Sequence, residues 1–298
     1  MNQKVEINFP FAISLYCKRD DLLHPLISGN KFRKLKYNIL EAQQLNKTTL
    51  VTFGGAFSNH IVATAAAGKE NGFKTIGVIR GNELEYQQLN PTLAHASSLG
   101  MQFFYVDRET YRNKENPNFI ESLHNRFGDF YLIPEGGTNN LAIKGCEEIV
   151  TEEDKNEFDY ICSAVGTGGT ISGIINSSSN HQKILGFAAL KGDFLSNDIR
   201  KFVQKTNWEI ISDYHFGGYG KIKPELVAFL NQFYEQTHIP LDPIYTGKMM
   251  FGIFDLIEKK YFKPNAKILA IHTGGLQGIK GVNQVLNAKN KEIIEYEI

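Results

Sequence analysis

The chain has 298 residues, 42% of them apolar, with 32 lysines plus arginines against 32 aspartates plus glutamates. That is the make-up of a folded protein long enough for about two domains. Zero net charge without a basic stripe argues against a nucleic-acid partner, and no run approaches the ~20 apolar residues of a bilayer span. Cys17, Cys146 and Cys162 are odd in number, widely spaced and without a CxxC. They point away from a disulfide framework and toward a reducing, cytoplasmic setting.

Short apolar runs alternate with helical patterns along almost the whole chain. KFRKLKYNILEAQQL reads as a helix with Lys31 in its first turn and Phe32, Leu35, Ile39 and Leu40 as its apolar face. TTLVTF (48–53) reads as a strand, and SNHIVATAAAGKENG (58–72) as a helix capped by Ser58. KTIGVIRG is a strand and NPTLAHASSLG a helix, opened by Pro91 and closed at Gly100. FFYV and FYLIP are strands separated by a helix near 116–127. FDYICSAV (158–165) and KILGFAAL (183–190) are further strands. KPELVAFLNQFYEQTH and the stretch 246–261 are helices, and KILAIHTGG ends the series as a buried strand with a glycine turn. Such alternation predicts an α/β protein with parallel sheets covered by helices on both faces. No tether divides the chain, so two domains would be interleaved.

Ligands in parallel α/β folds sit beyond the carboxyl ends of strands. Four glycine-rich turns stand there: TFGGAFSNH, IPEGGTNN, SAVGTGGTISG and AIHTGGLQG. In the third, GTGGT opens a helix, so successive N–H groups, a helix N-terminus and two threonine hydroxyls would cradle a phosphate. The alternative is a turn that does no more than pass a strand into a helix. A dinucleotide is disfavoured because the third glycine of GxGxxG is replaced by Ile171, and no GxxxxGK[ST] is present. There is no HExxH, no paired metal-ligand spacing and no GxSxG, so no metal site is expected. Asp20, Asp21, Glu147 and Glu148 read as helix-flank or solvated charges, and His60 and His272 as structural hydrogen-bonders unless their loops prove functional.

The stretch SGNKFRKL (28–35) reads either as a solvated helix start or as the seat of a reactive amine. The positive end of a helix disfavours an ammonium, and burial pushes the same way. Both favour the neutral amine that carbonyl chemistry needs at Lys31. Lys34, three residues on, lies on the same side and could reach a phosphate.

The ordered set SGNKxRKL, GGxxSNH, VGTGGT, GYG, DPxYTGK and HTGG runs from about residue 15 to about 280. It resembles the D-cysteine desulfhydrase / 1-aminocyclopropane-1-carboxylate (ACC) deaminase family, pyridoxal 5'-phosphate (PLP) enzymes of fold type II in the tryptophan synthase β-like group. The resemblance implies two interleaved open twisted-sheet domains with the cofactor in the cleft between them: a large PLP-binding domain from 1–44 plus 138–298, and a small domain from 45–137. It implies that Lys31 bonds the cofactor aldehyde and moves the substrate Cα proton. Asn59 would bond the cofactor 3-oxygen, and Ser58 and His60 would meet the substrate carboxylate or leaving group. Gly166, Thr167, Gly168, Gly169 and Thr170 would hold the phosphate, with Lys34 as an addition. Tyr245 would stack on the pyridine and Tyr219 would face the substrate; for both, core packing is the plain alternative. A small amino-acid substrate, no nucleic acid, no membrane and a homodimer follow from the same likeness.

Two positions bear on the reaction. ACC deaminases carry Glu after the stacking Tyr and Leu inside HxGG, whereas desulfhydrase-like members carry Thr at both. Here they are Thr246 and Thr273. A carboxylate beside the ring nitrogen makes a strong electron sink, and a hydroxyl makes a weaker one. Expelling a thiolate tolerates the weaker sink, while opening a cyclopropane needs more help. β-Elimination from D-cysteine is therefore expected, with ACC deamination or a non-catalytic PLP- or phosphate-binding relative as alternatives. Thr273 is preferred over Thr246 as the nitrogen's neighbour.

Overall fold

The computed structural model describes residues 1–192 and 195–296. Its strands, in chain order, are β1 (Asn2–Lys4), β2 (Ser14–Lys18), β3 (Thr49–Gly54), β4 (Lys74–Arg80), β5 (Gln102–Val106), β6 (Tyr131–Ile133), β7 (Tyr160–Val165), β8 (Lys183–Ala188), β9 (Trp208–Ile211) and β10 (Lys267–Ile271). Among the described residues they form two sheets, of order β1-β2-β10-β7-β8-β9 and β5-β4-β3-β6. Every pairing is parallel except β1 with β2. The expected α/β architecture of two open sheets is thus present, and the chain enters the six-stranded sheet, leaves for the four-stranded one and returns.

The central strands are buried on both sides, which is why they read as unbroken apolar runs. In β7, Ile161 and Val165 join the core beneath the helix Gly169–Ser177. Cys162 and Ala164 point the opposite way, into the core shared with the helices Pro224–Thr237 and Thr246–Glu258. All three cysteines are buried free thiols. No helix among the described residues is long and apolar enough to cross a membrane.

The helix Asn30–Gln44 joins the two sheets. Leu35, Ile39 and Ala42 pack with Leu50, Ala63 and Ile133 of the four-stranded unit. Leu40, expected on this face, is 45% exposed; Ala42 takes the inward place because the buried stripe runs 35-39-42 at helical spacing.

The acidic pair after β2 also departs from expectation. Asp20 and Asp21 are 2% and 7% exposed rather than solvated. Arg33 Nε donates to Asp20 at 3.3 Å, and Arg19 forms a two-pronged contact with Asp21 through Nε at 2.9 Å and Nη2 at 2.7 Å. Their burial is tolerated because each carboxylate meets a guanidinium.

Candidate active site

A cavity of about 1000 Å³ opens where strands of both sheets end. Gly55 and Ser58 follow β3, Arg80 ends β4, Glu135 and Gly136 follow β6, Gly166–Thr170 follow β7, and Thr273–Gly275 follow β10. This is the place a parallel sheet offers a ligand. Lys31, Lys34, Ser58, Asn59, His60, Gly166, Thr167, Gly168, Thr170, Tyr219, Tyr245 and Thr273 all line it. Gly169 and Thr246 do not.

Lys31 reaches the cavity because its helix starts beside the HTGG turn. Gly29 precedes the helix with φ +63° and ψ −137°, a region essentially closed to other residues. A Cβ there would lie 2.0 Å from the Thr273 carbonyl oxygen. Asn30 donates its backbone N–H to the same oxygen at 3.3 Å. Its side-chain amide donates to the Thr170 hydroxyl at 2.7 Å. The helix start is therefore fastened to both the HTGG and GTGGT turns.

Among the described residues Lys31 Nζ has one weak acceptor, the Gly136 carbonyl at 3.4 Å. Burial, with the charge of Lys34 second, lowers its pKa to about 7. Burial, expected from the sequence, is thus the leading cause. Lys34 is 1% exposed. Its ammonium donates to the Gly136 carbonyl at 2.9 Å and the Thr138 hydroxyl at 3.0 Å. Burial lowers its pKa too.

The GTGGT turn opens a helix on the cavity wall. Gly168 occupies the N-cap of the helix Gly169–Ser177 in the left-handed region, with no side chain capping the first N–H groups. Gly169 stands behind the wall, and a Cβ on it would lie 2.8 Å from the Thr138 hydroxyl and 3.0 Å from Lys34 Nζ. The Thr138 and Thr167 hydroxyls bond each other at 2.6 Å. An uncapped helix start beside a buried ammonium that meets only uncharged oxygens is suited to a phosphate. A partly neutral amine in the same cavity suits an aldehyde. The residues present therefore fit PLP.

Ser58 holds the N-cap position of the helix Asn59–Glu70, yet its hydroxyl caps nothing. His60 is buried, with Nε2 2.8 Å from the Thr52 hydroxyl and Nδ1 without a partner. Burial, then the charges of Lys31 and Lys34, hold its pKa well below 6.5, so it is neutral. The rings of Tyr219 and Tyr245 meet edge-on at 6.1 Å. His272 is structural, as expected: Nε2 bonds the Pro240 carbonyl at 2.6 Å, and Nδ1 accepts from Gly274 N–H at 3.2 Å.

Thr246 is wholly buried off the cavity. Its N–H and hydroxyl donate to Asp242 Oδ1 at 2.8 and 2.7 Å, and its hydroxyl accepts from Asp242 N–H at 2.9 Å. Asp242 Oδ2 takes the N–H groups of Ile244 and Tyr245, both at 2.9 Å. Asp242 thereby fixes the approach of Tyr245, a task the sequence reading did not assign. Asn30, Gly136 and Thr138 were also missed; SGNKFRKL was the signal for Asn30, and the glycine turn IPEGGTNN, which Lys34 reaches, was the signal for Gly136 and Thr138.

Residues 8–274 match the family described as "Pyridoxal-phosphate dependent enzyme". The chain belongs to this family. PLP is its cofactor, and the two-sheet architecture is fold type II. It is 32% identical over 290 residues to a Thermotoga maritima protein called "Putative 1-aminocyclopropane-1-carboxylate deaminase", covering 90% of this chain and 91% of that one. It is 30% identical over 298 residues to the mitochondrial bifunctional D-cysteine desulfhydrase/1-aminocyclopropane-1-carboxylate deaminase of Arabidopsis thaliana, covering 91% of this chain and 74% of that one. The crystal structure of an ACC deaminase homologue superposes with a TM-score of 0.81 at 30% identity, covering 96% and 93% of the two chains. This PLP enzyme therefore sits in a group whose members carry both activity names.

Proposed function

We propose that the enzyme is a D-cysteine desulfhydrase, converting D-cysteine and water to pyruvate, ammonia and sulfide. The observation that carries this reading is Thr273: a hydroxyl residue, where the ACC deaminase pattern has Leu, follows β10 on the cavity wall. Thr246, the other position that separates the two activities, is also a threonine and is spent on Asp242. Neither supplies the acidic neighbour expected to assist ring opening.

When bound, PLP supplies the electron sink that stabilises negative charge at the substrate Cα. Lys31 would hold it covalently, the GTGGT turn and Lys34 would take its phosphate, and Asn59 and Tyr245 would position its ring. Ser58 and the uncapped N–H groups of its helix hold the substrate carboxylate. Lys31, with its lowered pKa, would take the substrate Cα proton as general base. The electron pair left on Cα forms the Cα–Cβ double bond as hydrosulfide leaves Cβ, and water hydrolyses the freed enamino acid to pyruvate and ammonium. Tyr219 closes the substrate side. The large unit of 1–44 plus 138–298 and the small unit of 45–137 move together over the substrate to exclude water. Likeness to the family supports a homodimer and a cytoplasmic setting.

The test is a keto-acid assay with D-cysteine, L-cysteine, ACC and D-serine on the purified yellow protein. D-Cysteine is expected to lead, with sulfide equal to pyruvate, and Lys31→Ala is expected to abolish both turnover and the bound-cofactor absorbance. Turnover of ACC above D-cysteine would reverse the assignment. A protein that takes up no PLP would remove its basis.

A further inference from the structure

The open end of the cavity carries several charges that the reaction does not use. Arg108 pairs with Glu83 at 2.6 Å, Lys114 with Glu135 at 3.1 Å, and Asp198 with Lys201 at 2.6 Å. Among the described residues lining the cavity, Arg80 is the cation left over once these pairs are matched and Lys31 and Lys34 are given to the cofactor. Its guanidinium lies over the Tyr111 ring at 5.8 Å. That ring is held in place by its hydroxyl, which donates to Glu135 at 2.7 Å. Arg80 Nη2 stands 3.6 Å from where a Cβ on Gly55 would be, at the head of the GGAFSNH turn. Its charge is also felt at Tyr219. Arg80 is exposed whereas Lys34 is buried, so it marks the mouth and not the floor. The cavity lies at the upper end of the ~300–1,000 Å³ that ligand pockets span, leaving room beyond a three-carbon amino acid.

We propose that Arg80 makes the mouth of the cavity an anion subsite, and that the enzyme takes amino acids whose β-substituent ends in a carboxylate, such as an S-(carboxyalkyl)-D-cysteine. This rests on the reading of the cavity as an amino-acid site. Ser58 and its helix start take the α-carboxylate; the planar fork of Arg80, backed by an aromatic face, takes the distal one. In the elimination, the Cα proton goes to Lys31 and the C–S bond breaks toward sulfur. The leaving group is then a carboxyalkyl thiolate in place of hydrosulfide, with pyruvate and ammonium as before.

Calorimetric titration of the holoenzyme with D-glutamate and D-glutamine tests this without turnover, because the two differ only in distal charge and lack a β leaving group. D-Glutamate is expected to bind at least tenfold more tightly. Arg80→Gln should remove that ratio without changing D-glutamine affinity, and Arg80→Lys should keep most of it. S-(Carboxymethyl)-D-cysteine should outrun its carbamoylmethyl isostere in kcat/KM by a similar factor. A wild-type ratio near one, a ratio unchanged in Arg80→Gln, or equal weakening of both ligands would overturn the proposal; equal weakening would move Arg80 to the α-carboxylate. If D-cysteine is turned over while the ratio is near one, the subsite alone fails. If the holoenzyme binds neither glutamate nor D-cysteine, the amino-acid reading beneath it fails too.

Discussion

Lys31 and Lys34 share one helix face, and both side-chain nitrogens meet only uncharged oxygens. For Lys31 the consequence is kinetic. With its pKa lowered from 10.5 to about 7, the protonated form gives way to the neutral nucleophile as pH rises through 7, not 10. Uptake of PLP by the cofactor-free protein should therefore climb between pH 6.5 and 8 and then level off. An ordinary lysine would gain roughly tenfold per pH unit up to at least pH 9. Stopped-flow absorbance from pH 6.5 to 9.5 distinguishes the two curves, and an unbroken climb would show that the amine is not perturbed. Sequence pattern alone could nominate Lys31, because a lysine just inside a helix start after Ser-Gly-Asn is an unfavourable placement unless it is used. It did not single out Asp242, although the N–H groups it binds lie only 2 to 4 residues on, and it could not reveal Thr138, whose lysine partner is 104 residues away. It also misjudged Asp20 and Asp21: the partner of Asp20, Arg33, meets it only when the segment after β2 and the helix after Gly29 are brought together, while the partner of Asp21, Arg19, lies two residues before it.

The glycine turns are the elements that assemble this site, and Gly29 shows how little slack they leave. Its φ of +63° and the 2.0 Å approach to Thr273 mean that Gly29→Ala must displace either the start of the Asn30–Gln44 helix or the HTGG turn. Backbone strain of this kind costs about 1–3 kcal/mol. Because Asn30 links the same helix start to Thr170, the displacement should reach the phosphate cradle as well. Gly29→Ala is expected to lower unfolding stability by about that amount and to weaken PLP binding at least tenfold, read by denaturant titration and by cofactor absorbance at equilibrium. Loss of stability with unchanged PLP affinity would show that the turn serves folding only. Most of the elements that carry these turns were legible because their strands are buried runs bounded by glycines. β1, β2 and β9 were not: they are short and only partly buried, so neither length nor alternation sets them apart from loops.

At the scale of the whole molecule, the candidate cofactor site is also a clasp between the two sheets. Lys31, Lys34 and Ser58 come from segments packed on the four-stranded sheet, and Gly166–Thr170, Tyr245 and Thr273 from the six-stranded one. A ligand that touches both sets binds the assembled protein and not the unfolded chain, so it must raise stability by linkage. At a thousandfold excess over Kd this amounts to about 4 kcal/mol. For a chain of this length that corresponds to a rise in Tm of roughly 6–7 °C. The phosphate's share can be separated with pyridoxal, which keeps the aldehyde and lacks the anion. A charge-assisted hydrogen bond to Lys34 contributes about 1.5–3 kcal/mol. PLP should therefore stabilise clearly more than pyridoxal at equal concentration, and the gap should narrow in Lys34→Met, whose apolar side chain also removes the cost of burying an ammonium. Scanning calorimetry of the cofactor-free protein with each ligand gives both comparisons. Equal shifts from PLP and pyridoxal, or a gap untouched by Lys34→Met, would mean that the buried ammonium holds the turn at Gly136 and Thr138 and takes no part in gripping the phosphate.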